Sequence, residues 1–220
     1  DIPRIEVKEL MTKYPQGGER TLIYAVTGRE INSSMLPADV GCVVDNVETM
    51  AAISNAVLLG RPVMSRIITI TGDGISHPAH YEVLTGTNVE ELVQAAGGLK
   101  DNVKKVISGG PMMGFAMFDL HVPCTKTSSA LLCMAEDPAS ESEATACINC
   151  GRCVKVCPGH VMPSRLATLA EHGDLEGFQK MDGMECCECG CCSYICPAKR
   201  PLTQSIKSMR KIVLANRRKK

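Results

Sequence analysis

Two stretches decide how this chain is read: Cys147-Ile-Asn-Cys150-Gly-Arg-Cys153-Val-Lys-Val-Cys157-Pro158 and Cys186-Cys-Glu-Cys189-Gly-Cys-Cys192-Ser-Tyr-Ile-Cys196-Pro197. Both follow the spacing C-x₂-C-x₂-C-x₃-C-P. Two copies of a pattern of four cysteines and a proline do not arise by chance. Ten of the chain's 13 cysteines fall inside this fifty-residue window, so the chemistry is sought there first.

The spacing has a physical reading. Three thiolates two residues apart can wrap one face of an iron–sulfur cubane, and a fourth at x₃ before proline is directed away from that face. In two-cluster ferredoxins the fourth cysteine of each run ligates the other cluster. The expected ligand sets are therefore Cys147, Cys150, Cys153 and Cys196 for one [4Fe–4S] cluster, and Cys186, Cys189, Cys192 and Cys157 for the second. A tetrahedral zinc site would have no use for the third cysteine of each run, and covalent haem would need C-x-x-C-H, which does not occur. Cys187 and Cys191 lie within the second run but out of register, placed either to tune sulfur hydrogen bonding or to fill space. Cys42, Cys124 and Cys133 stand alone and are expected to be buried small hydrophobes. His160 is expected at the surface or beside the ligands rather than among them.

Composition narrows the class further. A length of 220 residues allows one medium domain or a few small ones. No apolar run of about 18 residues could cross a bilayer as a helix. The opening DIPRIEVKELMTKYPQGGER lacks the charged and apolar regions of a secretory signal, so abundant cysteine points to metal rather than disulfides. It also lacks an initiator Met, and a piece of a longer chain is expected. Basic and acidic residues number 24 each, which argues against a nucleic-acid partner. That balance conceals an asymmetry, because nine basic residues and no acid lie in 199–220, leaving 15 against 24 elsewhere. In this tail Leu202, Ile206, Met209 and Val213 recur at four, three and four, the spacing of an amphipathic helix. Its apolar face is expected either to pack on its own domain or to dock on a partner or an anionic surface.

Upstream, NVETMAAISNAVLLG (46–60) reads as an N-capped helix with one apolar face that stops at Gly60 and Pro62. RIITITG, HYEVLTGT, KKVISGG and SSALLCM read as strands, with a turn at Gly72-Asp73-Gly74 and a helix from Asn88 to Gly97-Gly98. Gly109-Gly110-Pro111-Met112-Met113-Gly114 reads as a tight turn rather than a phosphate loop, its methionines packing. The polar stretch 136–147 is expected to be a linker. Between the cysteine runs, Leu166, Leu169 and Ala170 predict a helix, with a break at Gly173 and a second short helix after it.

These residues also carry a resemblance. KYPQGGER (13–20), LPADVG (36–41), DNVET (45–49), TGDG (71–74), GGPMMG (109–114) and CGCCSYICP (189–197) resemble, in this order, the C subunits of Rnf-type electron-transport complexes, in their C-terminal portion. Those complexes are membrane-bound, ion-translocating ferredoxin:NAD⁺ oxidoreductases, and their C subunit is similar to the flavin-carrying subunit of respiratory complex I. The resemblance implies a multidomain α+β fold. Residues 1–60 would end an FMN- and NADH-binding α/β domain, 61–135 would form a β-grasp domain of the soluble-ligand-binding type, 136–198 a helical two-cluster ferredoxin domain, and 199–220 the basic helix. It further implies that Tyr14, Gly17, Gly18 and Glu19 line flavin and nicotinamide, that Asn46 and Thr49 lie beside the flavin, and that the flavin's Gly-rich loop precedes Asp1. NAD(H) would be the substrate. The partners would be other subunits, a ferredoxin-like one among them, in a complex whose C subunit sits peripherally on the cytoplasmic face of the membrane. Two other readings stay open at this point: an iron–sulfur subunit of a soluble dehydrogenase or heterodisulfide-reductase-like enzyme, and a non-catalytic binding module with structural clusters.

Overall fold

A computed structural model describes residues 4–218. Along the chain the helices are α1 (Glu19–Thr27), α2 (Val47–Leu59), α3 (Val89–Ala95), α4 (Pro138–Glu141), α5 (Arg152–Lys155), α6 (Pro163–Glu171), α7 (Leu175–Lys180), α8 (Cys191–Ile195) and α9 (Leu202–Arg218). The strands are β1 (Ser65–Thr71), β2 (Ala79–Leu84), β3 (Lys105–Ser108), β4 (Phe115–Ala116) and β5 (Ala130–Met134). Two compact units result. One comprises Asp1–Asn46, Cys147–Cys196 and Pro201–Lys220, and the other comprises Val47–Ala146 and Pro197–Arg200.

The second unit is built on a mixed sheet of order β2-β1-β5-β3-β4. Its strands alternate as half-buried strands must: Ile68 and Ile70 of β1 point into the core, while Ile67 faces solvent. β1 pairs antiparallel with β2, Ile67 opposite Glu82, and parallel with β5, Ile70 opposite Leu131. Helix α3 covers the inner face with Val89, Leu92 and Val93, and its start is capped by the Asn88 side chain, which accepts from the Glu90 N–H. One helix lying across this strand order is a β-grasp. The turn after β1 depends on glycine: Gly72 has φ +114°, and a Cβ there would lie 2.0 Å from the Cys133 carbonyl oxygen. Beside it, the Asp73 carboxylate accepts from the N–H groups of Ala135 and Glu136 at 2.9 and 3.1 Å, fixing the end of β5.

Several expectations need correction. Residues 109–114 do form the turn between β3 and β4, with the Gly114 N–H donating to Gly110 O at 2.8 Å, but Met113 is exposed rather than packed. Cys124 and Cys133 are buried, whereas Cys42 is only half-buried, its thiol against the Val40 carbonyl near the Arg29 guanidinium. The stretch 136–147 is more than a linker, because Asp137 is buried, caps α4 and pairs with Lys105 of β3. Helix α2 forms, yet none of its residues is buried. It is held instead through Glu48, which pairs with Arg66 of β1 at 3.1 Å.

In the other unit α6, α7 and α9 enclose a core of Val161, Leu166, Phe178, Met184, Ile206, Met209 and Val213. All four apolar positions of the tail, Leu202, Ile206, Met209 and Val213, are buried on one face of α9. The helix is thus the last wall of its own unit, with Lys211, Arg217 and Arg218 left exposed.

Truncating Ile206 to alanine deletes a fully buried side chain and is expected to destabilise its unit by about 2–5 kcal/mol in urea unfolding, against less than about 0.5 kcal/mol for Lys211→Ala. The ion pair with Lys105 holds the Asp137 carboxyl below its usual range. Because the folded value lies below that of the unfolded chain, about 3.9, the stabilisation is complete above that pH and disappears as pH falls through the folded value. Stability measured between about pH 6 and 3 is therefore expected to fall less steeply in Asp137→Asn than in the unsubstituted chain.

Candidate metal centre

The two cysteine runs fold into the same local backbone. In each, the residue before the second cysteine is left-handed, Asn149 at φ 54° and Glu188 at φ 58°. The glycine after that cysteine is left-handed too, Gly151 at 72° and Gly190 at 83°. Each glycine opens a one-turn helix, α5 or α8, that carries the third cysteine, Cys153 or Cys192. Three residues past the fourth cysteine, His160 and Lys199 are again left-handed at 51° and 52°. Left-handed residues beside helical ones turn successive N–H groups toward one point, the concave arrangement that receives anions and iron–sulfur groups. One such donor is already in place, since the Glu188 N–H points at the Cys186 sulfur at 3.4 Å.

Cys157 leaves its own run and lines a recess together with Cys186, Cys189 and Cys192. Cys157 and Cys186 pack on the same core of α6, α7 and α9 side chains. The out-of-register Cys187 and Cys191 line this recess too. For the other set the structure assembles half. Cys153 and Cys196 meet against Ala167, Cys192 and Leu202, while Cys147 and Cys150 lie exposed on the loop before α5, the Cys147 thiol turned toward the Asn149 side chain.

The donor set fits a polynuclear group. All 13 cysteines are free thiols, so none is committed to a disulfide. Six cysteines, Cys157, Cys186, Cys187, Cys189, Cys191 and Cys192, line one recess, more sulfur than a single tetrahedral ion can use. A cubane presents four separate irons, one to each thiolate. Burial pushes the Cys186 thiol up to about 11 and raises that of Cys192, so a bare thiolate is unfavourable there and a cationic core relieves the penalty. Cys187 is pushed up as well, by its hydrogen bond to Cys189 and by burial.

The segment that resembles a flavin wall is tied to the second run. The Tyr14 hydroxyl donates to the Cys189 carbonyl at 2.7 Å. Glu185, immediately before Cys186, pairs with Arg20 at 2.9 Å and accepts from the Ser33 N–H and hydroxyl. Gly18 caps α1 in extended conformation and Glu19 opens that helix, both exposed, as is Gly17. Asn46 ends the first segment of the cysteine-bearing unit, whereas Thr49 lies in the first turn of α2 in the other. Arg20, Ser33 and Glu185 escape sequence reading, because nothing local marks pairs 152 to 165 residues apart. His160 is exposed, its N–H donating to the Cys157 carbonyl.

Family comparisons follow the same three zones. A Nuo51 FMN-binding domain matches residues 1–55, an SLBB domain 67–116, and a 4Fe-4S dicluster domain 140–197. The chain is 44% identical over 216 residues to the C subunit of the Na⁺-translocating ferredoxin:NAD⁺ oxidoreductase complex of Acetobacterium woodii, a match spanning 98% of this chain and 49% of that protein. The chain belongs to the family of Rnf-type C subunits. The C subunit of the proton-translocating ferredoxin:NAD⁺ oxidoreductase complex of Clostridium ljungdahlii is 46% identical over 168 residues, 76% of this chain and 37% of that protein. In Pseudomonas aeruginosa the C subunit of the ion-translocating oxidoreductase complex is 46% identical over 172 residues, 76% of this chain and 22% of that protein. The chain spans about half the length, or less, of these curated relatives. As in that family, its domains are those of two [4Fe–4S] clusters and FMN.

Replacing Tyr14 by phenylalanine removes the link to Cys189. It is expected to destabilise the unit by about 0.5–1.5 kcal/mol in urea unfolding, the net worth of one hydrogen bond.

Proposed function

We propose that this chain carries electrons within an ion-translocating ferredoxin:NAD⁺ oxidoreductase complex, with NAD(H) as substrate. When bound, FMN exchanges hydride with the nicotinamide and the clusters pass single electrons. Cys186, Cys189, Cys192 and Cys157 hold one cluster, and Cys147, Cys150, Cys153 and Cys196 hold the other. The observation that carries this reading is the position of Cys157, which lies in the recess of the second run's cysteines although its chain neighbours belong to the first. Tyr14, Gly17, Gly18 and Glu19, with Asn46 and Thr49, serve the flavin and the nicotinamide. Tyr14 and Arg20 fix this segment to the second run, so the flavin wall is held beside a cluster rather than on a separate arm. The residues thereby bind, orient and space the cofactors, which is the protein's share of such chemistry.

Other subunits of the complex, a ferredoxin-like one among them, supply the donor or acceptor and the ion path. Among the described residues no helix is long and apolar enough to cross a membrane. A peripheral place on the cytoplasmic face, held by partner subunits, completes the proposal.

Iron and sulfide analysis of the full-length protein is expected to give about eight irons from these two clusters, with two EPR signals on reduction. Stoichiometric zinc in their place would refute the proposal. The crossing of the ligands is read from which signal each variant loses. Cys157→Ser and Cys189→Ser are expected to abolish the same signal, and Cys196→Ser and Cys150→Ser the other. Loss of one signal by Cys157→Ser and Cys150→Ser together would overturn it.

A further inference from the structure

Thr203, in the first turn of α9, has its hydroxyl 3.3 Å from the Cys192 sulfur and lines the recess that the four cysteines share. Either atom of such a pair could donate, but the neighbouring residue removes the ambiguity. The first N–H groups of a helix have no partner within it. Here the Ser193 side-chain oxygen accepts from the Thr203 N–H at 2.8 Å, and its own hydroxyl donates to the Thr203 Oγ1 at 3.0 Å. With that oxygen already accepting from Ser193, its single proton is free to point at sulfur. Once Cys192 is a thiolate, sulfur can only accept.

We propose that Thr203 is a positioning residue that donates an O–H···S hydrogen bond to Cys192 and thereby raises the reduction potential of the cluster held by the second run. This rests on the ligand sets given above. A hydrogen bond to a ligating sulfur favours the state in which that sulfur carries more negative charge, which is the reduced one. Iron–sulfur potentials are set partly by such bonds. Ser193 directs the donor, and no equivalent side-chain hydroxyl lies against a sulfur of the first run among the described residues. The effect is therefore specific to one of two clusters that otherwise sit in repeated backbone.

The test is potentiometric EPR on the full-length protein with Thr203→Val, which keeps the shape and deletes the donor, and Thr203→Ser, which restores it. The signal abolished by Cys189→Ser is expected to shift to more negative potential in Thr203→Val and to return toward the unsubstituted value in Thr203→Ser, while the other signal does not move. Unchanged potentials in Thr203→Val, an equal shift of both signals, or no recovery in Thr203→Ser would overturn the proposal. If Thr203→Val fails to hold iron, Ser193→Ala decides. It is expected to give a smaller negative shift of the same signal, and an unmoved signal overturns the inference. Retention of both clusters by Cys192→Ser overturns the ligand reading and this inference with it. Normal loss of a cluster there, with an unmoved potential in Thr203→Val, overturns this inference alone.

Discussion

Crowding thiols together away from water is the constraint on which this unit depends. A buried thiolate is costly on its own, and burial raises the thiols of Cys186 and Cys192 above their ordinary value. The structure meets the cost with backbone donors, left-handed residues at matched positions in both runs, and a wall of helices that excludes solvent behind the sulfurs. Helices α6, α7 and α9 supply the wall, and their core reaches Cys157 and Cys186 directly. Packing of the tail helix and placement of the sulfurs are one problem with one solution.

Much of this was legible in the sequence because it is local. The register of the cysteines, the 4-3-4 spacing of Leu202, Ile206, Met209 and Val213, and the alternation of Ile68 and Ile70 each report a short-range periodicity. The turn at Gly72 was legible for the same reason, from the Gly72-Asp73-Gly74 string, although what demands glycine there is the distant Cys133 carbonyl. What was hidden depends on distant partners. Glu185 looked like any acid before a cysteine, and Thr203 like any polar residue at a helix start. The short strand β4 carries two residues, too few for a periodic signal. Helix α2 displays the opposite failure. Its apolar residues do form a helix, yet composition could not reveal that none would be buried among the described residues.

The β-grasp unit and the cysteine unit solve burial differently. In the sheet, alternation along strands and one capped helix close the core with ordinary aliphatic side chains. The helices around the cysteines are short, α5 and α8 spanning four and five residues, below the length at which isolated helices persist in water. They are held by capping glycines and by side-chain anchors such as Ser193.

The proposed exchange of Cys157 and Cys196 between runs has a topological consequence. With both ligand sets filled, the stretch from Cys157 to Cys186, which contains α6 and α7, is a loop whose two ends are fastened to one inorganic core. Such a closure acts on the unfolded chain as a covalent crosslink does, by removing conformations that the free polymer would explore. The second core closes a larger ring around the first, from Cys153 to Cys196. The two rings are nested, so releasing either core loosens the chain that holds the other.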